Sequence, residues 1–167
     1  MNAFSDPIQR SHPSCIPEAQ SQIYDNAENI AFFKKFVDIH VTLADYKMDL
    51  MNEAHEKGTP FTRPLMLHYP HDPIARKQNS EFLLGENILV APMFKEGADK
   101  RDVYLPGPAK WTHMWSGTVY DISEHGMHLE DFAAPIGAPI VFVMDTDAVK
   151  MTEILAEYIP KATVVLQ

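Results

Sequence analysis

Acidic side chains that lie close together in a sequence are candidates for acid–base catalysis. Two candidate pairs are Asp121 with Glu124 and Glu130 with Asp131. Two carboxyl groups can donate and accept the protons of a reacting group when the fold holds both against one substrate. The first pair follows a predicted hairpin and the second lies in a predicted polar connection. We therefore interpret all four as solvated loop acids and assign no catalytic residue among them.

Histidines form the second group of candidate residues, because imidazole is a common metal ligand. The stretch "HYPHD" contains His68 and His71, followed by Asp72. Three further histidines come later in the sequence: His113, His125 and His128. A zinc site needs three or four converging ligands. With Pro70 between them, His68 and His71 cannot share one helix face as the histidines of an HExxH motif do. We predict no metal site.

The third group lies near the beginning, in "NAFSDPIQRSH", where an aromatic residue and a turn proline precede Arg10 and His12. This stretch is either an ordinary polar tail or an interior segment of a larger protein. Cys15 follows in a proline-flanked polar region with no second cysteine near it, and we interpret it as a bystander thiol.

Length and charge restrict the class of protein. The chain has 167 residues, whereas a complete (β/α)8 barrel needs about 250. A hydrophobic content of 46% supports a packed core, and a formal charge of -9 disfavours nucleic-acid binding. The single cysteine excludes an internal disulfide, and we find neither a signal-peptide pattern nor a membrane span. These features predict a cytoplasmic protein.

Residues 1–24 are rich in proline and predict a loop, and helical spacing begins at Asp25. Asp25 and Glu28 resemble a capping box, and Lys57, Gly58 and Pro60 provide a stop signal. Between these limits, apolar residues recur on one predicted helix face: Ile30, Phe33, Val37, Val41, Ala44, Met48 and Met51. The sequence predicts one long helix or two in series, with the break at the β-branched residues Ile39, Val41 and Thr42.

Strand patterns follow. The apolar runs 61–69 and "ENILVAPMF" predict strands covered on both faces, as in a parallel sheet. Shorter candidates then predict an antiparallel domain with a hairpin turn at Ser116-Gly117 and a final helix capped by Thr146: residues 101–105, 111–115, 118–120 and 140–144. Trp111 and Trp115 alternate on one strand and are interpreted as core rather than as a sugar platform. Arg63 is interpreted as a structural ion-pair partner.

Four segments, in this order, resemble the C-terminal part of family 31 glycoside hydrolases, the α-glucosidase and α-xylosidase family: "RPLMLHY", "EFLLGENILVAPMF", "DVYLPGPAKWTHMWSGTVYD" and "APIGAPIVFV". Within that family the sequences of these segments are most similar to the sulfoquinovosidase branch. The resemblance implies the C-terminal end of a (β/α)8 barrel, with its last helices and strand 8 in residues 1–95. An antiparallel β-sandwich domain with a terminal helix would follow in residues 96–167.

The resemblance also implies roles for residues. "FSDPIQRSH" resembles a family segment whose histidine binds sugar hydroxyls, so His12 is the implied substrate ligand, with Arg10, His68 and Tyr69 as further candidates. For His68 and Tyr69 we favour packing under a turn. The nucleophile and the acid/base Asp of the family would precede Asn2, so the chain alone is expected to be inactive, without cofactor, and to associate with itself or with the rest of the barrel. A carbohydrate-binding or subunit-interaction module and a metal-binding β-protein remain as alternatives.

Overall fold

The computed structural model describes residues 2–9, 22–122, 124–161 and 165–166, and a seven-stranded sheet lies at its centre. The strands in chain order are β1 Thr62–Arg63, β2 Phe82–Leu84, β3 Ile88–Ala91, β4 Lys100–Leu105, β5 Ala109–His113, β6 Val119–Ile122, β7 Met127–Ala133, β8 Ile140–Val143 and β9 Val165–Leu166. The sheet has the order β1-β2-β3-β8-β5-β6-β9, while β4 and β7 form a separate ribbon. Every strand pair is antiparallel except β6 with β9.

The central strands β3 and β8 are buried on both faces. Ile88 and Val90 of β3 belong to one hydrophobic cluster, while their neighbour Leu89 belongs to another on the opposite side of the sheet. Helices cover the first face, and the β4–β7 ribbon covers the second. A continuous apolar run therefore arises here in an antiparallel sheet, and the prediction of parallel strands was wrong. The run indicated burial on both faces correctly but carried no information on strand direction.

Two helices in series form the layer on the first face, α1 Ala27–Thr42 and α2 Ala44–Lys57. The predicted break is confirmed and falls at Leu43. Gly58 ends α2 with a left-handed φ of 70°, as its position after Lys57 predicted. The capping prediction was wrong, because the side chain of Asn26, not of Asp25, accepts the amide hydrogen of Asn29 at 2.8 Å.

The helices face the sheet with a side that the sequence pattern did not single out. Ile39 and Leu43 are completely buried, and Tyr46 donates its hydroxyl hydrogen to the Leu84 carbonyl at 3.0 Å. The stripe of apolar residues predicted from spacing points elsewhere and is 38–64% exposed: Ile30, Phe33, Val37, Val41, Met48 and Met51. The helical layer thus has an apolar inner face and a second apolar surface directed away from the sheet, which we call the outer stripe.

The segment 61–69 is not the strand that the sequence predicted. Only Thr62 and Arg63 pair with β2, and residues Leu65–Leu67 form a 3-10 turn. Pro64 lies between them and has no N–H to continue a strand ladder. The proposed division of the chain at residues 95/96 stays a prediction. Strands from both sides of it share one sheet, since β3 pairs with β8.

The antiparallel second half agrees with the sequence prediction in four strands, β4, β5, β6 and β8. The hairpin turn between β5 and β6 is confirmed at Ser116-Gly117, where Gly117 has a φ of 68°. Strand β7 was missed.

Trp111 is completely buried, as predicted, whereas Trp115 lies in the turn after β5, under the Lys35 ammonium 4.3 Å from its ring centroid. The final helix α3 is short, Met151–Ile154.

Arg63 joins the helical layer to the first strand. It is 2% exposed, donates from Nε to the Pro60 carbonyl at 2.7 Å, and forms an ion pair with Glu53 of α2. Its Nη1 donates to Nε2 of His68 at 3.0 Å. The predicted structural role of Arg63 is confirmed.

We expect Arg63→Ala to lower the free energy of unfolding by about 3 kcal/mol, because it leaves Glu53 and the Pro60 carbonyl without their donor. Arg63→Lys should recover less than half of this, since an ammonium cannot reach three acceptors in the geometry of the guanidinium fork. Urea unfolding measures both values. Arg76→Ala, at an exposed arginine, is the control and should change stability by less than about 0.5 kcal/mol. Equal losses at both positions would contradict this role of Arg63.

Glu81 joins the sheet to the ribbon. Its Oε1 accepts the amide hydrogen of Tyr104 at 2.9 Å and lies 3.6 Å from the Arg101 guanidinium. Its Oε2 is buried and has no hydrogen-bond partner among the described residues. Burial raises the pKa of Glu81 from 4.5 to about 7, against the lowering effects of the Tyr104 amide and Arg101. Between these two pH values the folded protein keeps a proton that the unfolded chain releases.

Stability should therefore fall as pH rises from about 4.5 to 7, and Glu81→Gln should remove this loss, because glutamine resembles the protonated acid. We expect the variant to exceed the wild type by about 1–3 kcal/mol at pH 8 and to match it near pH 4. Denaturant unfolding across this pH range measures the difference. Parallel curves for the two proteins would show that Glu81 does not hold a proton in the fold.

Candidate functional site

The segment of residues 2–9 is docked between the helices and the first strand. Residues Asn2–Phe4 form a 3-10 turn, and the Phe4 ring is completely buried in the cluster under α1 and α2. Thr62 Oγ1 donates to the Ser5 carbonyl at 3.0 Å. We call residues 2–9 the strap. It leads directly into Arg10 and His12, the implied substrate ligands, which lie outside the described residues, as does Cys15.

Lys47 of α2 holds the strap from the other side. It is 3% exposed, and its ammonium donates to the carbonyls of Ala3 at 2.8 Å and Asp6 at 3.0 Å. Its third bond is to Nδ1 of His40 at 2.8 Å. Burial lowers the pKa of Lys47 to about 8, although Asp6 acts in the opposite direction. Burial and the Lys47 charge lower the pKa of His40, which favours the neutral imidazole that the bond requires.

Sequence reasoning did not identify Lys47, although a signal was present. Lys47 is four residues after Leu43 and three before Leu50, so helical spacing places it on the buried face between them. A lysine in such a position needs acceptors for all its donors. The strap provides two of them.

His68 and Tyr69 lie at the turn that follows residues Leu65–Leu67, not at the end of a barrel strand. His68 accepts from Arg63, and burial together with the Arg63 charge lowers its pKa. Tyr69 packs partly against the cluster on the ribbon side, and burial raises its pKa to about 12. Their role as sugar ligands stays a prediction.

These two residues share a cleft of about 610 Å³ with His71 and Asp72 of the following turns, Tyr104 of the ribbon, and His125 before β7. The Tyr104 hydroxyl donates to the Asp72 carboxylate, whose Oδ1 also accepts two backbone amide hydrogens at 2.8 and 3.0 Å. Burial, and then the bond to Asp72, raise the pKa of Tyr104. Burial alone would raise the pKa of Asp72, but the donated hydrogen bonds lower it overall. Asp72 is thus an ionised acceptor that closes a turn.

The acidic pairs lie mostly in strands, which corrects their placement in loops. Asp121 belongs to β6 and pairs with Lys110 at 2.8 Å, whereas Glu124 is exposed beyond the strand. Glu130 and Asp131 are consecutive residues of β7, and Asp131 pairs with Lys100 at 3.1 Å. The second pair lies at a β-bulge, where Asp131 has a φ of 49° and both side chains are exposed to solvent. Both pairs are solvated surface acids.

Within the residues that the structure describes, no group of three or more His, Cys, Asp or Glu side chains is arranged to hold a metal ion. In the same part of the chain no helix is long and apolar enough to cross a membrane.

Comparison with known sequences gives one consistent result. A sulfoquinovosidase of Agrobacterium fabrum is 37% identical over 142 residues, which are 85% of this chain and 21% of that protein. A sulfoquinovosidase of Escherichia coli is 35% identical over 141 residues, 84% of this chain and 20% of that protein. The chain therefore spans about a fifth of the length of the curated relatives that it matches.

Solved structures agree with the sequences. A family 31 sulfoquinovosidase of E. rectale, determined with an aza-sugar inhibitor, superposes with a TM-score of 0.78 at 29% identity over 91% of this chain and 22% of its own. A family 31 α-xylosidase from a soil metagenome gives a TM-score of 0.71 at 25% identity over 90% and 22% of the two chains. Residues 58–149 match the C-terminal domain of glycosyl hydrolase family 31. This chain therefore belongs to glycosyl hydrolase family 31 and contains its C-terminal domain.

Proposed function

We propose that this chain is the C-terminal part of a retaining α-glycosidase of the sulfoquinovosidase or α-glucosidase type, which hydrolyses O-glycosyl bonds. One observation carries the proposal: the chain aligns with sulfoquinovosidases over 84–85% of its length, well beyond the family domain at 58–149. The additional aligned length includes residues on the helical side of the sheet. The match therefore extends beyond the family domain to the helices.

The outer stripe supports a barrel as the missing neighbour. Phe33, Val37 and Val41 are 38–64% exposed along α1, although an isolated surface helix normally directs such residues inward. In a (β/α)8 barrel the helices surround the strands and pack against their neighbours. We infer that α1 and α2 are the last helices of the barrel and that barrel residues cover the outer stripe.

In this arrangement His12 would contact the sugar directly. Retaining glycosidases hold two carboxyl groups about 5–5.5 Å apart, one to attack the anomeric carbon and one to protonate the leaving oxygen. From the family resemblance we expect both on barrel segments N-terminal to this chain in the complete enzyme. An imidazole can form a hydrogen bond to a hydroxyl of the sugar. This bond can strengthen in the transition state, in which the sugar ring becomes positively charged and flattened. His12 would supply such a bond, and Arg10 would line the same segment.

The second candidate is a module that binds carbohydrate or another subunit without catalysis. The cleft beside Tyr69, Asp72 and Tyr104 favours it, since aromatic rings and fixed polar groups suit sugar rings. Glycan binding by the 167-residue chain, abolished by Tyr69→Ala, would favour this module.

The catalytic proposal predicts that the 167-residue chain alone hydrolyses no aryl α-glucoside, α-xyloside or α-sulfoquinovoside above background. Fusion to the preceding barrel portion of the A. fabrum relative should produce turnover of one of them. In that fusion His12→Ala should lower kcat/KM about a hundredfold or more, as removal of a hydrogen bond strengthened in the transition state does. His55→Ala, at an exposed histidine of α2, is the matched control and should leave kcat/KM unchanged.

Wild-type kinetics in the His12→Ala fusion would remove His12 from the sugar site. Turnover by the chain alone would contradict the proposal more severely. If that turnover survived repurification and disappeared in Asp72→Asn or Glu130→Gln, the active site would lie within this chain.

A further inference from the structure

We propose that an apolar groove beside α1 is a docking site for the barrel portion of the enzyme. The barrel places an apolar side chain in this groove and covers Ile136 at its rim. The groove has a volume of about 570 Å³ and lies between Phe32 and Phe33 of α1, Met93 after β3, and the loop of residues 134–139 that joins β7 to β8. The proposal rests on the function proposed above and extends the barrel contact from the helices to the loops of the sheet.

The groove has the chemistry of a protein interior. Among the residues that the structure describes, those lining the groove include no charged side chain, whereas 22% of the whole chain is charged. Val90, Ala91 and Ile140 of the central strands belong to the lining and are at most 1% exposed. Phe32 and Phe33 also line it and are 46% and 40% exposed. Permanent interfaces are apolar in this way, because they resemble a domain core divided in two. We therefore expect an occupant that supplies aliphatic or aromatic side chains and stays in place.

The loop of residues 134–139 is fixed by the rest of this chain. Three hydrogen bonds to different parts of the chain hold it, with the donor named first: Ala134 to Asp99 at 2.6 Å, Lys35 to Gly137 at 2.8 Å and Trp115 to Pro139. Ile136 lies in the middle of this loop and is 96% exposed. Gly137 has a φ of 88° and lies against the Phe32 ring, so the loop and α1 form one continuous rim. A partner that covers Ile136 therefore does not have to order the loop, and the entropic cost of binding is small.

Two observations point to the rest of the same polypeptide as the occupant. Phe33 belongs both to the groove and to the outer stripe, so a barrel that covers the stripe reaches the edge of the groove. The sulfoquinovosidases that align with 84–85% of this chain have about four fifths of their own sequence outside the match. That sequence is joined to the matched part in one polypeptide, which meets the need for an occupant that stays in place.

Cysteine labelling tests the coverage of single positions. The natural cysteine is removed by Cys15→Ser, and one new cysteine is introduced in each variant. Ile136→Cys reports on the groove, and Val41→Cys, 64% exposed, reports on the outer stripe. Ile74→Cys, at an exposed isoleucine in the cleft beside Tyr104, is the matched control. Each variant is made in the 167-residue chain and in the fusion to the barrel portion of the A. fabrum relative.

Ile136→Cys and Val41→Cys should each react with a maleimide about tenfold or more slowly in the fusion than in the chain alone, because a covered thiol reacts only when the contact opens. Ile74→Cys should react equally in both proteins. Hydrogen exchange measured by mass spectrometry on the unsubstituted proteins is the second measurement. Peptides from residues 92–98 and 134–139 should exchange more slowly in the fusion, and those from β7 should not change.

The outcomes separate the two proposals. If Val41→Cys is protected in the fusion while Ile136→Cys reacts as in the chain alone, the groove inference is overturned and the barrel contact of the outer stripe stands. If neither is protected, both fall. Protection of Ile136→Cys alone would keep the groove and remove the outer stripe from the contact. Protection of Ile136→Cys that appears in the 167-residue chain and grows with its concentration would assign the groove to a second copy of this chain, which overturns the inference as well.

Discussion

The burial of β3 and β8 on both faces is the constraint on which the rest of this structure depends. Side chains of β3 alternate between two hydrophobic clusters, and Phe142 and Val143 of β8 do the same. Each such side chain contributes about 1.5–3 kcal/mol only if its own face of the sheet is covered. The helices and the strap must therefore pack on one side and the β4–β7 ribbon on the other. Neither half of the chain can form a complete core without the other.

Buried polar groups fix the layers relative to one another. The Arg63–Glu53 pair joins α2 to β1, Glu81 and Arg101 join β2 to the ribbon, and Lys47 joins the strap to the helices. Hydrophobic contact alone would let these layers slide, since it has no direction. A buried cation costs stability unless it meets its partners, so Arg63 and Lys47 favour the arrangement in which their acceptors lie in place.

Sequence reasoning recovered features whose cause is local. Gly58 ends a helix and Gly117 forms a tight turn, and both have a left-handed backbone conformation. Glycine adopts this conformation without a distant partner, so its position in the sequence is enough to predict both features. Strand β7 was missed because a bulge at Glu130 and Asp131 interrupts the alternation of polar and apolar residues in the strand.

Features that depend on distant partners were not recovered. Strand direction depends on which strand lies alongside, and the apolar run of β3 is compatible with either direction. The inner face of α1 was also misidentified. That helix is apolar on two sides, and only the fold decides which side meets the sheet. Of the candidate site, Arg63 was assigned its role correctly, Lys47 was missed, and His12 lies outside the described residues.

The most direct test of the claim that the outer stripe contacts a barrel is a binding measurement. The 167-residue chain is mixed with the preceding barrel portion of the A. fabrum relative, which is produced as a separate chain. Titration calorimetry should show one-to-one binding with a negative heat-capacity change, as expected when apolar surface is buried. Binding should be lost in Phe33→Glu, which places a charge on the stripe, and kept in Lys34→Glu beside it. The account would be contradicted if the chain stayed monomeric, bound no hydrophobic dye and showed no binding to the barrel portion.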